Sequence, residues 1–290
     1  MLLRSMAGAS MHAISVPSAL PCVKFLTSAN SQMFQNLIRN SVVRLFGLVA
    51  KLGVQRLPMF DRVFLVLYAE YKRHFEAGPI ERLQEFVPDG SVVIDVGANV
   101  GFFTLRFAQW VGGGEVISIE PEDRNYQNLI SALKRKGLFG RVRALKAVAA
   151  ATAGRMFLEI NHLHPADHKL SRDDTGTVVD AVRLDDLVQN KRALRPSLVK
   201  IDVQGAEMLV LQGAPDILRL SGPALFVELQ EEGLQKFGSS VSAILDHLSR
   251  SGYEPYWLMR AGPHRKTSPA EIHAKVARNG YVDVLFLKAV

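Results

Sequence analysis

The run Ser91-Val-Val-Ile-Asp-Val-Gly-Ala-Asn-Val-Gly-Phe-Phe103 constrains this chain more than any other stretch. Its apolar, β-branched first part ends on an acid, two glycines then punctuate a turn, and Thr104-Leu-Arg-Phe-Ala-Gln-Trp110 continues with helix-forming content. A buried strand, a tight turn and a helix start form a ligand cradle. Glycine removes the Cβ that would block a ligand, and the first turn of a helix offers unpaired backbone N–H groups. The expectation is a small polar ligand held by Gly97, Ala98, Asn99, Gly101 and Phe102, with Asp95 at the strand end.

The spacing bears on which ligand. A dinucleotide fingerprint needs glycines at G-x-G-x-x-G to admit a pyrophosphate. Here Asn99 stands at the middle position and no third glycine completes the pattern. An acid ahead of the first glycine suits a ligand with an amine and a sulfonium, which points to S-adenosylmethionine. A second acid follows in step: Glu115-Val-Ile-Ser-Ile119 reads as the next strand, and Glu120-Pro121 ends it about 25 residues beyond Asp95. A carboxylate there in a βαβ unit accepts the ribose hydroxyls, and Pro121 helps stop the strand.

Beyond this unit, strands and helices alternate. Strands are predicted at 142–148, 198–202, 224–229, 253–259 and 282–288, with helices at 124–136, 206–218 and 241–251 between them. The pattern implies an α/β fold: a doubly wound, Rossmann-like sheet of seven mostly parallel strands, covered on both faces. Between strands three and four, 155–160 and 177–183 read as a β-hairpin around a polar loop, 161–176, and Leu184 begins a short helix. An insertion there lies near the carboxyl ends of the strands, so it is a candidate substrate lid. The loop holds His162, His164 and His168 beside Asp167, Asp173 and Asp174; spacings on an unpatterned loop are weak evidence for a metal, and none is assigned.

Charge divides the chain at its first acid, Asp61. Six basic residues precede it, while the remaining 29 nearly balance the 28 acids. The basicity therefore belongs to the extension and not to the α/β part, which argues against nucleic acid as a partner. Residues 1–80 read as an acid-poor extension, helical near 32–53 and 61–75, and residues 81–290 as the α/β domain. Phe34, Leu37, Ile38, Val42, Leu45, Leu48, Val49 and Leu52 would share one helix face opposite Asn40, Arg44 and Lys51, a pattern for peripheral contact with an anionic membrane or for packing on the domain or a dimer mate. The single Cys22 forms no internal disulfide, so a reducing, cytoplasmic setting is expected.

Four ordered pieces resemble the FkbM-type S-adenosylmethionine-dependent methyltransferases: Asp95 to Leu105, Glu120-Pro121, Arg183-Leu-Asp-Asp-Leu187 and Val199-Lys-Ile-Asp-Val-Gln-Gly-Ala-Glu207. The last, followed by Leu211-Gln-Gly-Ala214, is the most specific. One departure is visible, since Gln204 occupies a position that is often Glu in the family. The resemblance implies transfer of a methyl group to a hydroxyl of a glycan, a lipid or a secondary metabolite. Read from the residues, Asp202 and Glu228 are strand-end acids at the crevice, and Glu207 enters the next helix's first turn; the three are the candidate catalytic carboxylates, and Asp202 is also a candidate for the methionine amine. The rival readings are a non-catalytic protein that keeps the cofactor fold and a nicotinamide-dependent oxidoreductase.

Overall fold

The computed structural model describes residues 79–159, 169–171, 176–189 and 195–289. The helices expected at 32–53 and 61–75, and the loop residues His162, His164, His168, Asp167, Asp173 and Asp174, lie outside the described residues.

The strands, in chain order, are β1 (Val92–Val96), β2 (Glu115–Ile119), β3 (Val142–Leu145), β4 (Val148–Ala149), β5 (Gly154–Glu159), β6 (Lys169–Ser171), β7 (Thr177–Val182), β8 (Pro196–Ile201), β9 (Ala224–Leu229), β10 (Tyr253–Trp257), β11 (Arg265–Lys266) and β12 (Val282–Lys288). Eight of them form one sheet in the order β11-β10-β12-β9-β8-β1-β2-β3. From β9 through β3 all pairings are parallel, and β12 enters antiparallel between β9 and β10. The fold is the expected doubly wound, Rossmann-like α/β sheet.

Alternation along the parallel strands sorts their side chains onto two faces. Val93, Val116 and Leu198 join Phe103, Phe107, Leu129 and Leu133 from the helices Phe102–Trp110 and Asp123–Arg135. Ile94, Val96, Ile117, Val199 and Val227 face the other way, onto Val210, Ile244 and Leu248. Helices therefore cover both faces, and the strand order reverses between β1 and β8. That reversal opens a crevice at the carboxyl ends of these two strands.

Several details differ from the sequence reading, among them two helices it did not place, Glu231–Lys236 and Pro269–Asn279. The sheet gains an eighth strand, β11, whose two exposed residues Arg265 and Lys266 carry no alternation to read. The expected strand 142–148 divides after Leu145, and β4 leaves the main sheet to pair in parallel with β7. The insertion is thus a four-stranded sheet, β4-β7-β5-β6, in which Lys169–Ser171, expected as loop, pairs antiparallel with β5. Finally, the helix expected at 206–218 stops at Gln212. There Gly213 packs so closely on Ala150 that an added Cβ would lie 2.1 Å from its carbonyl oxygen, and the chain resumes as a π turn, Ile217–Ser221. Asp185, fully buried, accepts the backbone N–H groups of Asp216 and Ile217 and so ties the insertion's helix Leu184–Gln189 to that turn.

Candidate active site

At the reversal point lies a cleft with about 1040 Å³ of empty space up to its open mouth. Its floor is the β1 turn, one side is the end of β2, the other side is the ends of β8 and β9, and Val148, Ala149 and Leu158 of the inserted sheet close over it. Of the residues singled out from sequence, Gly97, Ala98, Asn99, Phe102, Glu120, Pro121, Asp202 and Glu228 line this cleft. Asp95, Gly101 and Glu207 stand behind its wall, in contact with the residues that do.

The turn has the expected strand, glycine and helix order. Gly97, at φ +76°, has its Cα so near β8 that a Cβ would sit 1.8 Å from the Asp202 carbonyl oxygen. The approach of two protein segments is by itself enough to require glycine here. The turn's N–H groups are also used internally: Gly97 and Ala98 donate to Ile119, Asn99 to Glu120, Val100 to the Asn99 side chain and Gly101 to Ala98. Asn99 stands at φ 49°, a left-handed conformation that asparagine tolerates better than most residues. These five donors are therefore committed to protein acceptors.

Glu120 is the polar centre of the β2 side. One carboxylate oxygen accepts the Asn99 N–H at 2.7 Å and the other accepts the Glu122 N–H at 3.0 Å. Burial pushes its pKa up to about 7, against the pull of these two N–H groups and of Lys200. Each oxygen has a further lone pair to offer. Pro121 adjoins it, and Glu122 caps the following helix by accepting from Arg124 and Asn125.

Across the cleft runs a ladder of polar groups. Asp95, fully buried, accepts the Thr104 hydroxyl at 2.6 Å, and its other oxygen lies 3.5 Å from Lys200 Nζ. Lys200, also buried, donates to the Gly97 carbonyl at 2.7 Å and lies 3.5 Å from Asp202. The other Asp202 oxygen accepts from the Gln204 amide at 3.2 Å, and the same nitrogen donates to Glu228 at 3.1 Å. Acid, cation, acid, amide and acid thus follow one another from β1 to β9. Lys200 and Gln204 were not among the sequence candidates, although a lysine within the apolar strand Pro196–Ile201 was a signal that it meets a buried acid.

Glu207 supports this ladder from below. One of its carboxylate oxygens accepts the N–H groups of Val203 and Gly205, and burial pushes its pKa up to about 7. Phe102 and Phe103 both reach the cleft: Phe103 packs among Phe107 and Phe226 with Lys200 over its ring, and Phe102 carries Arg106 stacked 4.0 Å over its ring.

These residues fit S-adenosylmethionine. Glu120 has anchored oxygens and spare lone pairs for a ribose diol, the turn makes no demand for phosphate, and Phe102, Val148 and Leu158 offer apolar surface for a base. Asp202 and the backbone at the ends of β1 and β8 suit an ammonium group.

Comparison with known proteins finds methyltransferases. Methyltransferase 1 of Beauveria bassiana (strain ARSEF 2860) is 28% identical over 151 residues, covering 44% of this chain and 60% of its own. Hexuronic acid methyltransferase AglP of Haloferax volcanii is 26% identical over 145 residues, covering 50% of this chain and 58% of its own. The chain thus spans about three fifths of the length of these curated relatives. Among solved structures, methyltransferase FkbM from Methylobacillus flagellatus KT aligns at 17% identity with a TM-score of 0.46, over 87% of this chain and 60% of that one. The model of the methyltransferase FkbM domain matches residues 95–255, more than half of the chain. The chain belongs to the FkbM methyltransferase family, and its methyl donor is S-adenosylmethionine.

Proposed function

We propose that the protein methylates a hydroxyl group, with a sugar, a lipid or a secondary metabolite as acceptor. The observation that carries this reading is the pair of carboxylates, Asp202 and Glu228, joined through Gln204 on the wall of the cleft opposite Glu120. S-adenosylmethionine, when bound, supplies an electrophilic methyl group. A hydroxyl acceptor becomes a better nucleophile when a carboxylate takes its proton as the new O–C bond forms and the donor's S–C bond breaks to release S-adenosylhomocysteine, and Asp202 and Glu228 are the residues proposed for that role. Glu120 and the β1 turn orient the donor, while Leu158 and Val148 exclude water from the reacting groups. The hexuronic acid methyltransferase among the relatives supports a sugar as the first acceptor class to try.

On the same reading, residues 81–290 are the methyltransferase domain and the basic extension 1–80 makes peripheral contact with an anionic membrane or a second copy of the chain, in the cytoplasm. No described helix is long and apolar enough to cross a membrane.

The test has two stages. Calorimetric titration with S-adenosylmethionine, S-adenosylhomocysteine and NAD should show binding of the first two only, weakened in Glu120→Ala. A screen of neutral sugars, uronic acids and lipid-linked glycans with methyl-labelled donor should then give a base-stable methyl ether. Binding of donor without transfer to any hydroxylated acceptor would favour a non-catalytic cofactor-fold protein, and binding of NAD alone would favour an oxidoreductase.

A further inference from the structure

Gln204 occupies an unusual position. It is one of two non-glycine residues described at positive φ, at 58°, and it stands between the strand β8 and the helix Glu207–Gln212. Its neighbours leave it little freedom. The N–H groups of Val203 and Gly205, on either side, both donate to one oxygen of Glu207. Gly205, at φ +113°, packs so tightly on the start of the helix Glu231–Lys236 that a Cβ would lie 2.3 Å from the Gly233 carbonyl oxygen. A strained residue over-determined on both sides is the kind of feature that persists where geometry serves function. What the turn presents is the Gln204 amide, whose single nitrogen reaches Asp202 at 3.2 Å and Glu228 at 3.1 Å.

We infer that Gln204 is the positioning residue of the acceptor end, a neutral clamp that holds Asp202 and Glu228 as a pair facing the incoming hydroxyl. This deepens the methyltransferase reading and rests on it for the identity of what the pair receives. The clamp works through Glu207, which sets the turn, through the turn, which aims the amide, and through the two amide hydrogens, which give each carboxylate one donor. Two acids on one wall repel each other, and a donor shared between them offsets that repulsion without adding charge. The other charged groups described around the pair are Lys200 beside Asp202, Asp95 beyond Lys200, Glu207 below the turn, and Asp283, the cross-strand partner of Glu228 on β12. With acids already predominating, a glutamate at 204 would set a third carboxylate between the two.

The experiment is a titration of side-chain carboxyl carbons by NMR in the full chain, with Asp202→Asn and Glu228→Gln used to assign the two resonances. In Gln204→Glu, the midpoint of one of the pair should rise by about 1–3 pH units above wild type. In Gln204→Met, which removes the amide and adds no charge, it should rise by less and in the same direction. The methionine variant decides the matter should the glutamate variant fail to fold. Unmoved midpoints in a folded Gln204→Met protein would overturn the clamp. Titration of wild type with S-adenosylhomocysteine separates the two ideas: normal binding with unmoved midpoints removes the clamp alone, while absent binding with shifted midpoints removes the methyltransferase site and leaves the clamp as a local device.

Discussion

Asp95 and Lys200 are register partners on the neighbouring parallel strands β1 and β8, and Lys200 Nζ lies 3.5 Å from Asp95 Oδ1 where both residues are shut off from solvent. That oxygen has no hydrogen-bond donor among the described residues, so the lysine's charge is what stabilises it. The same ammonium reaches Asp202 and the carbonyls of Val96 and Gly97, which ties the two edges of the crevice together.

Lys200→Met should therefore be strongly destabilising, by about 3–5 kcal/mol, because it leaves a buried carboxylate without its counter-charge. Asp95→Asn combined with Lys200→Met should recover part of the loss. Urea unfolding of the two single variants and the double variant measures the coupling, and strict additivity would show that the pair is not coupled.

Glu120 should make donor binding depend on pH. Its ionised carboxylate is the form that accepts two ribose hydroxyls, and burial holds its pKa at about 7. Affinity for S-adenosylhomocysteine should fall as pH drops below about 7, approaching tenfold per unit, and be level above about pH 8. Glu120→Gln removes the charged acceptor and sets an amide against the Asn99 and Glu122 N–H groups, so it should cost about 10- to 100-fold in affinity and flatten the pH dependence. Calorimetry at pH 6 and pH 8 on both proteins checks both points.

Glu207 bears on stability by the opposite route. Its folded pKa, about 7, lies above its ordinary value of 4.5, so the folded state binds its proton more tightly than the unfolded chain. The stability this brings is fully present below pH 4.5 and is lost as pH rises through about 7. The full swing is on the order of 3 kcal/mol, from about 1.36 kcal/mol per pH unit. Glu207→Gln keeps an acceptor for Val203 and Gly205 and removes the buried charge, so its unfolding free energy should vary less between pH 5 and pH 8 than that of wild type. Denaturant titrations across that range supply the comparison; an unchanged slope would mean that Glu207 does not titrate there.

Gly97→Ala should be among the most damaging small substitutions in the chain. The added methyl meets the Asp202 backbone oxygen at 1.8 Å, and the positive φ disfavours any L side chain. A loss of at least about 2–3 kcal/mol is expected, together with weaker donor binding, because relief of the clash must move the β1 turn away from β8. Gly140→Ala, where an added Cβ meets nothing within 4 Å, is the control and should leave both properties unchanged. Thermal melting with and without S-adenosylhomocysteine reports both.

Much of the fold was legible because its signals are local. The apolar run before Asp95, the alternation of strand and helix content and the acid-rich strand ends each depend on a few adjacent residues. They place seven strands, the insertion and the cleft-lining residues Gly97, Asn99, Glu120, Asp202 and Glu228. What the local pattern did not show was the protein side of the β1 turn, where Gly97 lies against the end of β8. The turn's N–H groups donate to Ile119 and Glu120 at the end of β2 and, for Val100 and Gly101, within the turn itself.

Residue types and short spacing were enough to mark this chain as a cofactor-binding α/β protein with acids at its strand ends. Tertiary structure alone decided that Lys200 would neutralise Asp95, that Gln204 would bridge Asp202 to Glu228, and that Glu207 would hold a turn behind the cleft wall and line none of it. Periodicity reports which way a side chain leaves its own strand or helix. Which groups then meet depends on strand order and register, which are settled by packing between residues as far apart as Asp95 and Lys200.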